Sequence, residues 1–351
     1  MIFDHPEFDS HEAIVFCHHA PSGLDAIIAL HNTAAGPAMG GCRMVPYPSQ
    51  HAALTDVLRL SKGMSYKNIM AGLPYGGGKS VILADPATDK SPELLQAFAG
   101  YVERLGGQYI TGEDVGITVP DMEIMRTITP HARGIPENGP GDPSPMTARG
   151  VFESMKVAVR HSLSQDSLKG VGVHVQGLGA VGMRLCALLA EAESRLIVSD
   201  IDQRKCDEAQ NRFDAEVISA DHWYDANAEI YAPCALGASL NEQTIAKLQS
   251  HIVVGAANNQ LAQPEDGNRL HDKGILYGPD YVVNAGGVIS AALEGPAFDQ
   301  NILRDRVMGI SGTVQSIFER AKDEGISPHV IADKMAEEKL VAARKASVVQ
   351  N

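Results

Sequence analysis

Gly172-Val173-His174-Val175-Gln176-Gly177-Leu178-Gly179-Ala180-Val181-Gly182 is the stretch whose reading decides the fold. A short apolar strand leads into glycines spaced G-x-G-x-x-G, and a helical pattern follows, with Val181, Leu185, Leu188 and Leu189 on one face. In a chain with 34 glycines that spacing alone carries little weight. Its context makes it specific. Leu196-Ile197-Val198-Ser199 reads as a second strand and Asp200 closes it, about 20 residues past the glycines, where a dinucleotide site places its ribose-binding acid. Gly177 permits the tight turn, Gly179 lets the backbone approach a pyrophosphate, and Gly182 lets helix and strand pack closely.

Working outward, further strands are expected at 215–218, 229–232, 252–255 and 281–283, separated by helices or turns. Strands alternating with helices imply an α/β protein with a doubly wound, mostly parallel sheet of the Rossmann type. Ligands of such sheets lie beyond the carboxyl ends of the strands. Three strand ends are stripped of bulk there: Pro233-Cys234-Ala235-Leu236-Gly237, Gly255-Ala256-Ala257-Asn258-Asn259 and Asn284-Ala285-Gly286-Gly287. The cofactor contacts expected are Gly177, Leu178, Gly179, Ala180, Val181, Gly182, Asp200, Ile201, Ala235, Ala256 and Asn258. A carboxylate at position 200 repels a 2′-phosphate and favours NAD over NADP, with Arg204 as the residue that could weaken this preference.

The N-terminal half has a different grammar. Strands are expected at 13–18, 24–31 and 80–84, a helix capped by Ser49 running to about Met64, and another at 92–105. The Pro/Gly-rich run 134–145 reads as a hinge. Two domains with a cleft between them follow: residues 1–135 for substrate binding, catalysis and oligomerisation, and 136–327 for NAD. The amphipathic helical tail is expected to return, as helix 328–351, onto the first domain.

Composition narrows the class. The 351 residues carry 29 Lys and Arg against 43 Asp and Glu, a net charge of −14. An acidic chain without a basic cluster is a poor nucleic-acid binder, so a small-molecule partner is expected. The 5 cysteines are odd in number and never in a C-x-x-C pair, which points to free thiols in a reducing compartment. The N-terminus lacks the basic start and apolar run of a signal peptide, and no apolar stretch approaches the ~20 residues of a membrane span. A cytoplasmic protein without membrane contact is expected. His11, His18 and His19 read as surface or core residues, because no third ligand stands near them, and no metal is called.

Gly72-Leu73-Pro74-Tyr75-Gly76-Gly77-Gly78-Lys79-Ser80 invites a phosphate-loop reading that fails. Leu73 stands where that loop needs glycine, and an apolar strand rather than a helix follows the lysine. The glycines instead suggest a backbone folded closely round a walled site holding Lys79. Lys67 lies near the end of the preceding helix. Two lysines converging on one cleft would bring Lys79 towards neutrality as a general base, with Asp114 of Thr111-Gly112-Glu113-Asp114-Val115-Gly116 as a proton-trading partner.

These motifs, in this order, resemble the amino-acid dehydrogenase family of glutamate, leucine, phenylalanine and valine dehydrogenases. The likeness is carried by Gly36-Pro37-Ala38-Met39-Gly40-Gly41-Cys42-Arg43, Lys62-Gly63-Met64-Ser65-Tyr66-Lys67-Asn68, Gly76-Gly77-Gly78-Lys79, Glu113-Asp114-Val115-Gly116 and Pro145-Met146-Thr147. It continues through the dinucleotide glycines, Ala256-Ala257-Asn258-Asn259-Gln260 and Asn284-Ala285-Gly286-Gly287-Val288-Ile289. The resemblance implies NAD-dependent oxidative deamination of an L-amino acid to a 2-oxo acid, with homo-oligomers the family's habit. It gives Lys67 the substrate carboxylate, Lys79 the attacking water and Asp114 the amino-group proton. It assigns Asn259, or Asn258, to orienting the substrate and Thr147 to the nicotinamide amide.

Glutamate-type members carry a lysine for the side-chain carboxylate where this chain has Met39, followed by Gly40. Without that cation a glutamate side chain would be buried unpaired, at a cost of several kcal/mol. Val288, Ile289, Ala291, Ala292 and Leu293 would add apolar wall, so a hydrophobic substrate is expected. Leucine, valine or isoleucine comes first, with phenylalanine or tryptophan as the alternative. Ile117 replaces a threonine usual in branched-chain members, and Ser290-Ala291-Ala292 replaces Asn-Val-Ala. Two other readings compete. A silent NAD-binding regulatory protein predicts damage to Lys67, Lys79 or Asp114, and all are intact. A hydroxy-acid dehydrogenase wants a histidine base, and none accompanies the lysine motifs.

Overall fold

The computed structural model describes residues 2–135, 139 and 141–350, with 347–350 described by backbone alone. The hinge expected at 134–145 lies partly outside the described residues. The chain divides into two compact units. One comprises Met1–Gly141, Ala291–Phe298 and Ala336–Asn351, and the other Asp142–Ser290 and Asp299–Met335.

The first unit contains strands β1 (Ala13–His19), β2 (Leu24–Asn32), β3 (Ala38–Met39), β4 (Cys42–Val45), β5 (Gly76–Leu83) and β6 (Tyr109–Ile110). Its helices are α1 (Gln50–Met70), α2 (Pro92–Arg104) and α3 (Val119–Arg126). The sheet runs β1-β2-β5-β3-β6, and β4 also pairs with β5. β1, β2 and β5 are antiparallel neighbours, whereas β3 and β4 lie parallel to β5. β2 reads Leu-Asp-Ala-Ile-Ile-Ala-Leu-His-Asn because both of its faces are covered. Ile27 and Ala29 pack on Val57 and Leu58 of α1. Ala26, Ile28 and Leu30 join Leu94, Phe98 and Val102 of α2 on the other side.

Two expectations for this unit need correction. α1 runs six residues past Met64 to Met70, since Gly63 faces solvent and does not break it, and Gly72 ends it in the left-handed conformation at φ +66°. The glycines before Lys79 form no loop; they lie inside the central strand β5. A side chain at Gly77 would strike the backbone and hydroxyl of Ser65 on α1, and one at Gly76 would strike the Asn32 carbonyl of β2. Gly77 therefore lets α1 approach β5, and Gly76 lets β2 do so, rather than wrapping a ligand.

The second unit holds β7 (Gly172–Gln176), β8 (Arg195–Ser199), β9 (Glu216–Val217), β10 (Ile230–Pro233), β11 (Ile252–Val253) and β12 (Leu276–Tyr277). All pairs are parallel, in the order β12-β11-β10-β7-β8-β9. This is the doubly wound arrangement, whose switch point lies between β7 and β10. Helices α4 (Ser144–Leu163), α5 (Ala180–Glu191), α6 (Gln203–Phe213), α7 (Glu242–Lys247) and α8 (Glu265–Asp272) connect or cover it. They are followed by α9 (Asp280–Val283), α10 (Gly286–Ala292), α11 (Gln300–Met308), α12 (Ile310–Glu324) and α13 (Pro328–Gln350); the end of α10 from Ala291 and α13 from Ala336 belong to the first unit.

Residues 281–283, expected as a strand, form α9 instead. Pro279 and Asp280 supply helix-start chemistry, and the Asp280 carbonyl accepts the Asn284 N–H at 3.0 Å. The last strand is β12, and Asn284-Ala285-Gly286-Gly287 joins two helices rather than ending a strand. On α5 the buried stripe is Gly182, Leu185, Cys186 and Leu189, one position away from the stripe read through Val181 and Leu188.

Candidate active site

In the first unit, β5 carries Lys79 into a place where the residue is only 6% exposed. A buried ammonium needs a counter-charge, and the Asp114 carboxylate supplies it through Oδ2, in hydrogen-bonded contact with Lys79 Nζ. Asp114 opens the tight turn Asp114-Val115-Gly116-Ile117, closed by the Ile117 N–H on the Asp114 carbonyl at 2.9 Å. Gly116, at φ +80° and against the Met44 carbonyl, has no room for a side chain. Asp114 Oδ1 accepts the Val115 N–H at 2.6 Å and faces Arg43 NH2 at 3.6 Å. Burial pushes the Asp114 carboxyl up, but the charges of Lys79 and Arg43 and the hydrogen bonds outweigh it and hold the group below its ordinary value. At neutral pH it is a carboxylate. The neighbour in contact with Lys79 is thus an anion, the carboxylate expected as its proton-trading partner.

Met39 ends β3 in register with Gly77 of β5, two residues before Lys79, and Gly40 follows it. Met39 is buried, and a side chain at Gly40 would strike the Gly78 carbonyl. Lys67 stands half-buried on the last turn of α1. The adjacent Asn68 ties that turn to the sheet: its Nδ2 donates to the Gly76 carbonyl at 2.6 Å and to the Met39 carbonyl at 3.2 Å. Sequence reading missed Asn68, Arg43 and Tyr109. The Tyr109 hydroxyl donates to the Gly40 carbonyl at 2.8 Å and meets Ser80 Oγ at 3.0 Å, holding the glycine turn of β3 against β5. Asn68 and Arg43 stood inside quoted motifs, but nothing in the sequence says where their side chains reach.

In the second unit, Gly177 turns at φ +95°, with the Ala235 backbone N 2.7 Å from where a Cβ would sit, and Gly182 lies against the Gly177 carbonyl. Gly179 differs: a Cβ there would meet nothing within 4 Å, so open space lies before the N-terminus of α5. That opening and the helix end form the surface on which a pyrophosphate would be received, so the residues fit a dinucleotide. Leu178, Ala180 and Val181 complete the turn. Asp200 is fixed beside it, accepting the Leu178 N–H at 2.6 Å and the Asp202 N–H at 2.8 Å. Ile201 is 97% exposed next to it. Arg204 is engaged in a fork on Asp202 at 3.0 and 3.1 Å.

Further along the strand ends, Ala235 and Asn258 are exposed and Ala256 is half-buried. Asn284 Nδ2 binds Asn258 Oδ1 at 2.8 Å and the Ala256 carbonyl at 3.1 Å. Asn259 is exposed and held at φ +51°. Thr147 Oγ1 donates to the Pro143 carbonyl at 3.1 Å, and Gly287 gives it room, a Cβ there lying 3.0 Å from that oxygen. Val288 is half-buried and Ile289 fully buried. All 5 cysteines are free thiols. His11 is buried on the Leu58 carbonyl and Ser61, whereas His18 pairs with Asp25 at the surface. Among the described residues no helix is long and apolar enough to cross a membrane.

A doubly wound sheet with a turn that fits a dinucleotide, and a separate unit with a buried lysine–carboxylate pair, are the features to set beside known proteins. The profile of the Glu/Leu/Phe/Val dehydrogenase dimerisation domain matches residues 11–131, and that of Glutamate/Leucine/Phenylalanine/Valine dehydrogenase matches 198–346. The chain belongs to this amino-acid dehydrogenase family. It is 44% identical over 346 residues to a leucine dehydrogenase of Bacillus subtilis, covering 98% of this chain and 95% of the relative. A valine dehydrogenase of Streptomyces albus is 44% identical over 347 residues, covering 97% and 95%. The crystal structure of an L-tryptophan dehydrogenase from Nostoc punctiforme superposes with a TM-score of 0.86 at 42% identity, covering 96% of this chain and 97% of that one. The family resemblance read from the motifs, the α/β architecture and the enzyme class all stand.

Proposed function

We propose that the chain oxidatively deaminates a hydrophobic L-amino acid with NAD and water, giving the 2-oxo acid, ammonium, NADH and a proton. Leucine, valine or isoleucine is the first choice and phenylalanine or tryptophan the alternative, in line with the names of its relatives. The observation that carries the reading is the buried Lys79–Asp114 pair, together with a buried Met39 on β3 in register with Gly77 of β5, two residues before Lys79. It supplies two proton-handling groups and withholds the cation that a glutamate side chain would need.

The first unit would be the substrate and self-association domain, as its profile's description suggests, and the second the cofactor domain. Lys67 binds the substrate carboxylate. The Asp114 carboxylate takes the amino-group proton, and the Lys79 amine takes one from the water that attacks the imino carbon. The nicotinamide, when bound, accepts hydride from the substrate Cα. Gly177, Gly179 and Gly182 receive the dinucleotide, Thr147 its carboxamide, and Asn259 or Asn258 orients the substrate. Asp200 beside the turn, and Arg204 engaged by Asp202, support NAD over NADP. The site would sit in a cytoplasmic homo-oligomer.

The test is NADH formation at 340 nm with a panel of L-amino acids, each with NAD and with NADP. Turnover of leucine, valine, phenylalanine or tryptophan with NAD, and none of glutamate, is expected. Glutamate turnover would overturn the substrate class. Binding of NADH without turnover of any amino acid would replace this reading by a regulatory one.

A further inference from the structure

Asp114 meets two cations, and the proposed chemistry uses only one of them. β4 brings Arg43 to the opposite side of the carboxylate from Lys79, with NH2 3.6 Å from Oδ1. The guanidinium is itself anchored. Its NH1 donates to Asp56 Oδ2 on α1 at 3.0 Å, and the Tyr47 hydroxyl donates to the same oxygen at 2.6 Å. Only 22% of the Arg43 side chain is exposed. A line of contacts thus runs from Tyr47 through Asp56, Arg43 and Asp114 to Lys79.

We propose that Arg43 is a positioning residue for the reaction: it holds Asp114 beside Lys79 and keeps that carboxylate ionised while Lys79 is neutral. The inference rests on the roles given above to Lys79 and Asp114. A lysine that takes a proton from water must first be an amine, and at that moment it no longer offers Asp114 a positive charge. An arginine cannot lose its charge in this way. The fixed cation therefore comes from the residue that does no proton chemistry.

The other titratable groups acting on Asp114 are Cys42 on β4, Tyr47 and Tyr109, while neighbouring Glu113 is exposed, its carboxylate near Gly134. Burial pushes the Cys42 thiol up to about 12 and raises both phenols, so all three are neutral where the enzyme would work. With Lys79 neutral, Arg43 is the cation left among these groups.

The experiment is the pH profile of kcat/KM for the full chain, with the best amino acid of the panel and saturating NAD, in wild type, Arg43→Gln, Arg43→Lys and Asp114→Asn. In Arg43→Gln the acid limb should move up by about one to two pH units, with kcat at neutral pH falling and the amino-acid KM little changed. Arg43→Lys, which keeps a charge, should recover most of that shift. An acid limb that stays put in a folded Arg43→Gln overturns the proposal, as does a limb in Arg43→Lys displaced as far as in Arg43→Gln. Should Arg43→Gln fail to fold, Arg43→Met takes its place. If neither folds, the arginine is a scaffold residue and the proposal fails. Asp114→Asn separates the two levels: if it retains turnover and an unaltered acid limb, the role of Asp114 itself is wrong, whatever Arg43 does.

Discussion

Gly77→Ala tests the packing that presents Lys79. Gly77 sits on β5 two residues before the lysine, and a Cβ there would lie under 3.0 Å from the N, Oγ and Cα of Ser65. Two of those atoms are backbone of α1, which cannot swing aside as a side-chain tip would. Relief requires helix and strand to separate by about an ångström, against interiors packed at crystal density. Overpacking of this kind costs about 1–3 kcal/mol, and a backbone obstacle puts it at the upper end, ~3 kcal/mol. α1 also carries Lys67, and Asn68 binds the carbonyls of Gly76 and Met39, so the displacement should reach the substrate-binding lysine. Chemical denaturation and amino-acid KM are the assays. A fall of about 3 kcal/mol is expected, together with a raised KM and unchanged NADH affinity. Gly63→Ala is the control: that glycine is exposed inside the same helix with nothing within 4 Å of a Cβ. It should gain ~0.5–1 kcal/mol from helix propensity. A Gly77→Ala variant as stable as wild type would refute the reasoning.

Three further outcomes follow from the geometry. Gly179→Ala should cost no more than ~1 kcal/mol, the preference of a helix N-cap for glycine over alanine, since φ is −73° and the space is open, yet weaken NADH by about tenfold or more in fluorescence titration, because the methyl stands on the surface offered to the pyrophosphate. Lys79→Ala should abolish turnover while NADH still binds; normal turnover would sink the proposed water activation. His31 and His174 are buried, and burial lowers each to about 4 from 6.5. The unfolded chain therefore binds the extra protons, and the stability due to these rings is complete above about pH 6.5 and is lost as pH falls towards 4, by up to ~3 kcal/mol each. Urea midpoints at pH 7, 5.5 and 4.5 would show the decline, and His31→Asn should flatten its share; an equally steep fall in that variant would rule the ring out.

How much was legible depends on how local the cause was. β1, β2, α2, β7 and β8 were readable because each is dictated by its own apolar periodicity, caps and flanking glycines. The end of α1 was not, because the turn that stops it is Gly72 in the left-handed conformation, beyond the periodic stretch read to Met64. Residues 281–283 misled because a Tyr-Val-Val run has strand composition, whereas the preceding Pro279-Asp280 starts a helix that positions Asn284 on Asn258. At the site, residue types and spacing marked Lys67, Lys79 and Asp114, since buried cations and carboxylates in glycine-rich motifs need a chemical reason. The reach of Arg43 to the Asp114 carboxylate was not legible there, because it depends on β4 lying against the turn after β6.

Fold class, the dinucleotide turn and the absence of a cation at position 39 were all written in the sequence by itself, because each depends on a few neighbouring residues. The tertiary structure alone decided that the glycines before Lys79 lie inside β5, where they let α1, β2 and Tyr109 come close, and that Arg43 reaches the same carboxylate that Lys79 touches. Those facts join β4, β5, α1 and the turn after β6. Electrostatics at that range is set by distances of a few ångströms across elements, which no one-dimensional spacing encodes.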